Sequence, residues 1–136
     1  MNFLGTQLLV LGIVWHLFAD WLLQNDWMAR NKANYVPWPP RPKHEGDGPI
    51  LLFIHPAGWV HAGIHLVGLL LIFPWWMAGL IATSHLLIDT RIPLQWWRKF
   101  YRQTMAGDIA LHVAIWSDQV AHITILAIAA LIVGWR

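Results

Sequence analysis

The chain has 136 residues and a mass of 15.7 kDa, which allows a single domain. Hydrophobic residues make up 57% of it and charged residues only 12%, about half the charged fraction of a typical soluble domain. The absence of Cys excludes a disulfide scaffold and a thiolate metal site. The net charge of +2, without a basic stripe, argues against nucleic-acid binding. This composition is typical of a membrane protein.

Four apolar stretches are long enough, or nearly so, to cross a bilayer as helices, which takes about 20 residues each. A polar, Pro-rich loop at 24–49 follows the first stretch. An aromatic and basic segment at 93–106 is expected to lie on the lipid headgroups. The predicted fold class is all-α, an integral membrane four-helix bundle. Two helical hairpins related by pseudo-symmetry could form this bundle. The predicted helices cover about 3–23, 50–73, 75–92 and 107–135.

The distribution of basic residues predicts the orientation in the membrane. Eight of the nine Lys and Arg residues fall in, or directly beside, the two segments that join predicted helices one to two and three to four. With four spans, both segments lie on the same side, and the positive-inside rule places that side in the cytoplasm. The expected location is the cell inner membrane, as a multi-pass protein with both termini outside the cytoplasm.

Ionisable residues are expensive inside a membrane and usually functional, yet each predicted helix carries a spaced pair of them. Both members of every pair are four residues apart, so they share one helix face. The pairs also fall at similar depths if helices two and four begin outside the hydrocarbon. The four pairs are His16 and Asp20, His61 and His65, His85 and Asp89, and Asp118 and His122.

Imidazole and carboxylate ligands together suit divalent transition metals, of which Zn, Mn and Fe are the first candidates. Eight donors exceed the four of a structural zinc site and predict two ions about 3.5–4 Å apart. The only Glu, Glu45, lies in the loop, which disfavours the Glu-based di-iron sites of ferritin-like bundles. A metal-free Asp–His hydrogen-bond network and a proton relay remain alternatives.

Several motifs resemble those of the domain-of-unknown-function 3307 family, small polytopic membrane proteins of bacteria and their phages. The opening HLFADWLLQNDWMARNK resembles the family's first motif, and HAGIH, SHLLID and DQVAH resemble its later motifs in the same order. The resemblance covers all four predicted helices. The motifs are also distantly similar to those of inner-membrane proteins identified as metal-dependent hydrolases with an H-x-x-x-D pattern. The resemblance implies metal binding more than any one reaction.

These observations lead to the expectation of a membrane-embedded dinuclear metal hydrolase that acts on a lipid-linked phosphoester or a similar amphiphile at the cytoplasmic leaflet. Arg91, together with Arg30 or Lys32, is a candidate for holding the anionic headgroup. Gln24 is a candidate for orienting substrate or water, and His112 for a ligand or substrate-contacting role.

Other functions remain open at this stage. One is a non-enzymatic membrane module with a structural metal or an Asp–His network that acts through protein partners. Another is di-iron lipid oxidation, although H-x-x-H-H boxes are absent. Transport is the least favoured, because one small bundle offers little room for a path. Protein partners and a homo-oligomer are both compatible with the sequence.

Overall fold

The computed structural model describes residues 3–38, 51–103 and 106–135, and it is mostly helical. An all-α class is therefore confirmed, with one short two-stranded sheet added to it. In chain order the elements are α1 (Phe3–Phe18), a π-helical turn that continues it (Ala19–Leu23), α2 (Asp26–Asn31), β1 (Tyr35–Trp38), β2 (Leu51–Ile54), α3 (Pro56–Ile72), α4 (Trp75–Asp89), α5 (Ile92–Phe100) and α6 (Asp108–Gly134).

The four long helices enclose a common interior, because α1 and α4 each pack against both α3 and α6. The end of this interior nearest the α3–α4 turn is apolar and contains mostly Leu, Ile, Met and Ala side chains. The ionisable residues of the predicted pairs lie beyond this apolar end, on the side of α2 and the sheet. The apolar core consists of Leu8, Leu69, Phe73, Met77, Ala78, Ile81, Ala82, Leu126, Ala129 and Ala130.

The prediction that the second helix begins near residue 50 was wrong. Leu51–Ile54 forms β2, and α3 begins only at Pro56. Proline suits the first turn of a helix because it lacks the N–H that has no intrahelical acceptor there. His55 caps this helix: its Nδ1 accepts a hydrogen bond from the Ala57 N–H at 3.1 Å.

The predicted Pro-rich loop contains regular structure where it is described. Asn25 caps α2, and its side-chain oxygen accepts a hydrogen bond from the Met28 N–H at 3.0 Å. β1 then pairs antiparallel with β2, with Tyr35 opposite Ile54. The interior of the loop, 39–50, lies outside the described residues. Within this segment, α2 contacts α3.

The segment after α4 contains the amphipathic helix α5. Aromatic side chains such as Trp96 and Phe100 are exposed on it, whereas Arg98 is buried. Arg91, at the turn between α4 and α5, has a φ of 62°. A non-glycine residue in this left-handed region costs of order 1 kcal/mol and is usually held there by its surroundings. The turn therefore ends α4 abruptly and folds α5 back toward α6, which it contacts.

Two helical stretches, Phe3–Leu23 and Ile109–Gly134, are long and apolar enough to cross a membrane, and Pro56–Ile72 is apolar but shorter. The outward faces of the long helices are also apolar. Large exposed hydrophobic areas are unusual on proteins surrounded by water. The exposed side chains on these faces include Val10, Leu11, Val14, Val67, Leu71, Leu80, Leu87, Val120, Ile128 and Ile132.

Candidate metal centre

The structure brings all eight predicted ligands together between the four long helices. Seven of them are buried, and the eighth, Asp118, has a side chain that is 23% exposed. Subsets of three or four of their ligand atoms lie within 4.8 Å of one another, so these residues could hold a metal ion. The subsets are His16, Asp20, His65 and His85; His61, His85 and Asp89; and Asp89, Asp118 and His122.

The Asp20 carboxylate contacts groups from all four long helices. Its Oδ1 atom lies 3.1 Å from Nε2 of His61 and 3.0 Å from Nε2 of His65. Its Oδ2 atom lies 3.6 Å from Nε2 of His16 and accepts a hydrogen bond from the Gln119 amide at 3.0 Å. Asp20 stands in the π-helical turn, a local widening that is common at functional sites.

The Asp89 carboxylate divides its two oxygens between two sets of neighbours. Oδ2 lies 3.2 Å from Nε2 of His85 and 3.5 Å from Nε2 of His61. Oδ1 lies 3.0 Å from the Lys32 ammonium and 3.7 Å from Nε2 of His122. His122 is in turn 3.6 Å from Oδ1 of Asp118.

Tight contact between α1 and α3 fixes part of this arrangement. Trp15, which precedes His16, lies directly against Gly68, where a Cβ atom would collide with the indole ring. The Trp15 indole N–H donates a hydrogen bond to the His65 carbonyl oxygen at 3.1 Å. The candidate ligands His16 and His65 therefore lie beside contacts that hold α1 and α3 together.

The donor set and its geometry fit a transition-metal ion. Four ligands at 2.0–2.1 Å from a tetrahedral ion are about 3.3–3.4 Å apart, which matches the contacts of 3.0–3.8 Å observed here. Five imidazoles all approach the carboxylates with the same atom, Nε2. Such a convergence of lone pairs is what a bound cation requires.

Hydrogen bonds account for only part of the contacts. Nε2 of His16, His85 and His122 is buried and close to carboxylate oxygens, yet makes no hydrogen bond of acceptable geometry with any described residue. Buried polar atoms without such bonds are rare in native proteins. Together with His65, these imidazoles line a cavity of about 10 Å³, close to the minimum for one water-sized occupant. These buried atoms could therefore serve as ligands of a metal ion.

Two residues that contact the cluster, Lys32 and Gln119, were not predicted to belong to it. Lys32, expected to hold a headgroup, places its ammonium 3.0 Å from Asp89 and 3.2 Å from Nε2 of His61. Gly58 makes this approach feasible, because a Cβ atom there would lie 3.0 Å from the Lys32 carbonyl oxygen. Gln119 precedes His122 by three residues and so shares its helix face, but nothing in the sequence pairs it with Asp20, to which it donates a hydrogen bond.

The other candidates lie at the margin of the cluster or away from it. Arg91 is exposed and lines a cavity that reaches the ligands. Arg30 is exposed and paired with Asp26 at 3.2 Å, so it is not part of the site. Gln24 is half-buried with a buried side-chain oxygen. His112 is exposed and lines a different cavity, which none of the eight candidate ligands lines.

The cavity beside the ligands has a volume of about 300 Å³ and is rich in charge. Three basic side chains, from Lys32, Arg91 and Arg98, line it together with Asp89 and Asp118. Arg98 is oriented by a hydrogen bond from its Nη2 to the Ala110 carbonyl oxygen at 3.3 Å. The three basic side chains could therefore hold an anionic group in this cavity, next to the two carboxylates.

Comparison of the chain with protein-family models, with curated proteins and with solved structures finds no match. The resemblance to the domain-of-unknown-function 3307 family therefore stays an expectation that rests on the motifs alone. What the fold establishes directly is a helical protein with two stretches suited to a membrane and a buried His/Asp cluster suited to a metal.

Proposed function

We propose that the protein is a membrane-embedded, metal-dependent hydrolase that cleaves a lipid-linked phosphoester, or a comparable amphiphile, at the cytoplasmic leaflet. The observation that carries this proposal is the cavity in which Lys32, Arg91 and Arg98 face the carboxylates of Asp89 and Asp118. Guanidinium groups bind phosphoryl oxygens in a fixed, two-pronged geometry. An anionic group held by them would lie against the candidate ligands.

The proposed cofactor is a pair of divalent ions, with Zn, Mn or Fe as the candidates. Asp20 and Asp89, whose oxygens each lie near different imidazoles, would hold the ions together with those imidazoles. Bound ions of this kind activate a water molecule and neutralise phosphoryl oxygens. The chain itself would orient the ester through Arg91 and Arg98 and keep bulk water out through the apolar core beneath the ligands.

The proposed topology is a multi-pass four-helix bundle in the inner membrane, with both termini outside the cytoplasm. The apolar outward faces of α1, α3, α4 and α6 support it, and so do the basic residues gathered around α2 and α5. A reporter fused behind the last residue should be active only on the non-cytoplasmic side. Cytoplasmic activity of that fusion would overturn the topology.

The activity has a direct test in detergent-purified protein. With added Zn²⁺, Mn²⁺ or Fe²⁺, wild type should release phosphate from phosphatidic acid and from p-nitrophenyl phosphate, and chelation should abolish both reactions. The Asp118→Asn variant should lose roughly 100-fold or more in rate. Release that survives chelation, or none with any of the three metals, would reject the hydrolase.

A non-enzymatic membrane module remains the second candidate, favoured by the Lys32–Asp89 ion pair. At 3.0 Å this ammonium already balances one buried carboxylate without any metal. Such a module would keep the helices together through the Asp–His contacts and act through protein partners. Absence of both metal and phosphate release, with folding intact, would favour it.

A further inference from the structure

A second cavity, which none of the eight candidate ligands lines, is an apolar groove. It has a volume of about 750 Å³, within the range of small-molecule sites, and lies between α4, α5 and α6. Ile88, Trp97, Trp116, Val120 and Ala121 contribute most of its apolar lining. We call this cavity the α5–α6 groove. Neither the metal centre nor the proposed hydrolysis explains why it exists.

The α5–α6 groove adjoins the charged cavity. Leu94 of α5 lines both cavities, so the apolar space and the basic space meet at this side chain. On α6 the two spaces are lined by consecutive residues, with Ser117 in the groove and Asp118 in the charged cavity. A molecule with an anionic end and an apolar end could therefore occupy both spaces at once.

The length of the groove matches one leaflet of a bilayer. Its α6 lining runs from His112 to Ile125, which at 1.5 Å per residue is about 20 Å. Half of a hydrocarbon core is about 15 Å thick. The charged cavity and the basic residues of α5 lie near the His112 end, where headgroups would be. A hydrocarbon chain in the groove would therefore run from the headgroup level to the middle of the bilayer.

We infer that the α5–α6 groove holds a hydrocarbon chain of an anionic phospholipid from the cytoplasmic leaflet, with its phosphate in the cavity lined by Arg91 and Arg98. This inference rests on the proposed membrane location and names the substrate class of the proposed hydrolase. A partner helix could fill the apolar space, but it would leave the adjoining basic cavity without an anion. One phospholipid molecule would fill the apolar groove with its hydrocarbon chain and the basic cavity with its phosphate.

The inference predicts selective retention of one lipid per chain. Delipidated protein in detergent is titrated with phosphatidic acid or with phosphatidylcholine of the same chains, and bound lipid is counted by native mass spectrometry. Phosphatidic acid should bind at least tenfold more tightly than phosphatidylcholine. In the Val120→Trp variant the larger side chain fills the groove from its exposed side. This variant should bind both lipids at least tenfold more weakly. The Arg91→Gln variant should weaken the binding of phosphatidic acid and leave the binding of phosphatidylcholine unchanged.

Matched controls separate the groove from the rest of the surface. Ile128→Trp alters another exposed branched residue of α6 that does not line the groove, and Arg30→Gln alters a basic residue outside the charged cavity. Both should bind phosphatidic acid as wild type does. Metal content and the unfolding temperature should be unchanged in all four variants, which excludes misfolding as the cause of any loss.

Three results would overturn the inference: equal affinity for the two lipids, undiminished binding by Val120→Trp, or a change of oligomeric state in that variant without a change in lipid binding. The last would assign the groove to a protein partner. The same measurements test the proposed hydrolase activity separately from the groove assignment. If p-nitrophenyl phosphate is hydrolysed while lipid selectivity is absent, only the groove assignment is wrong. If lipid binds selectively without phosphate release, only the hydrolase is wrong.

Discussion

Replacing Asp20 or Asp89 by Asn should remove bound metal and the stability that the metal provides. Each side chain is buried and contacts imidazoles from at least two helices. Asn keeps the shape but loses the negative charge that balances the cations and that the cations in turn favour. We expect metal affinity to fall by roughly 100-fold or more, and the stability that metal binding gives the folded state to be lost with it.

Thermal unfolding with and without a chelator measures this effect. In wild type the chelator should lower the unfolding temperature, whereas in the two Asn variants it should change little because the metal is already absent. Asp26→Asn is the control, since Asp26 is exposed and its pair with Arg30 is worth at most about 1 kcal/mol. If wild type melts at the same temperature in chelator and both variants melt with it, the cluster is a metal-free network.

Replacing Lys32 by Met should have opposite effects in the presence and in the absence of metal. The three clustered carboxylates and the Lys32 ammonium leave two negative charges when the imidazoles are neutral. The ammonium therefore competes with a metal ion for Asp89. Without it, we expect metal to bind at least tenfold more tightly, because close like charges repel by several kcal/mol even in a medium of intermediate polarity.

Without metal the same variant should be markedly less stable than wild type. Asp89 is almost fully buried, and removing the partner of a buried charge costs about 3–5 kcal/mol. The measurement is the unfolding temperature of Lys32→Met over a series of metal concentrations, beside the exposed Lys99→Met as control. Destabilisation of equal size at every metal concentration would mean that Lys32 and a metal do not share Asp89.

The candidate site could be predicted from the sequence because its geometry is mostly local. Two residues four apart on a helix share a face whatever the rest of the fold does, so each pair was visible in the sequence. The matching depths of the pairs then indicated that the helices meet around them. The structure places His16, His61, His85 and His122 together for this reason, although they come from four different helices.

The parts that could not be predicted depend on contacts between distant segments. Lys32 lies 29 residues from His61, and Gln119 lies 99 residues from Asp20. No spacing in the sequence encodes either contact. Leu51–Ile54 was mistaken for helix because a short apolar run fits a strand or a buried helix equally well. Only its pairing with Tyr35–Trp38 decides between the two.

The central claim, that this cluster binds transition-metal ions, is tested most directly by elemental analysis of detergent-purified protein prepared without chelator. Wild type should contain about two equivalents of divalent metal per chain, the number that eight donors support. The double variant His61→Ala, His65→Ala should lose at least one equivalent, because both imidazoles contact Asp20 at 3.0–3.1 Å. Wild-type protein that is folded, yet contains almost no metal even after incubation with Zn²⁺, Mn²⁺ and Fe²⁺, would contradict the account.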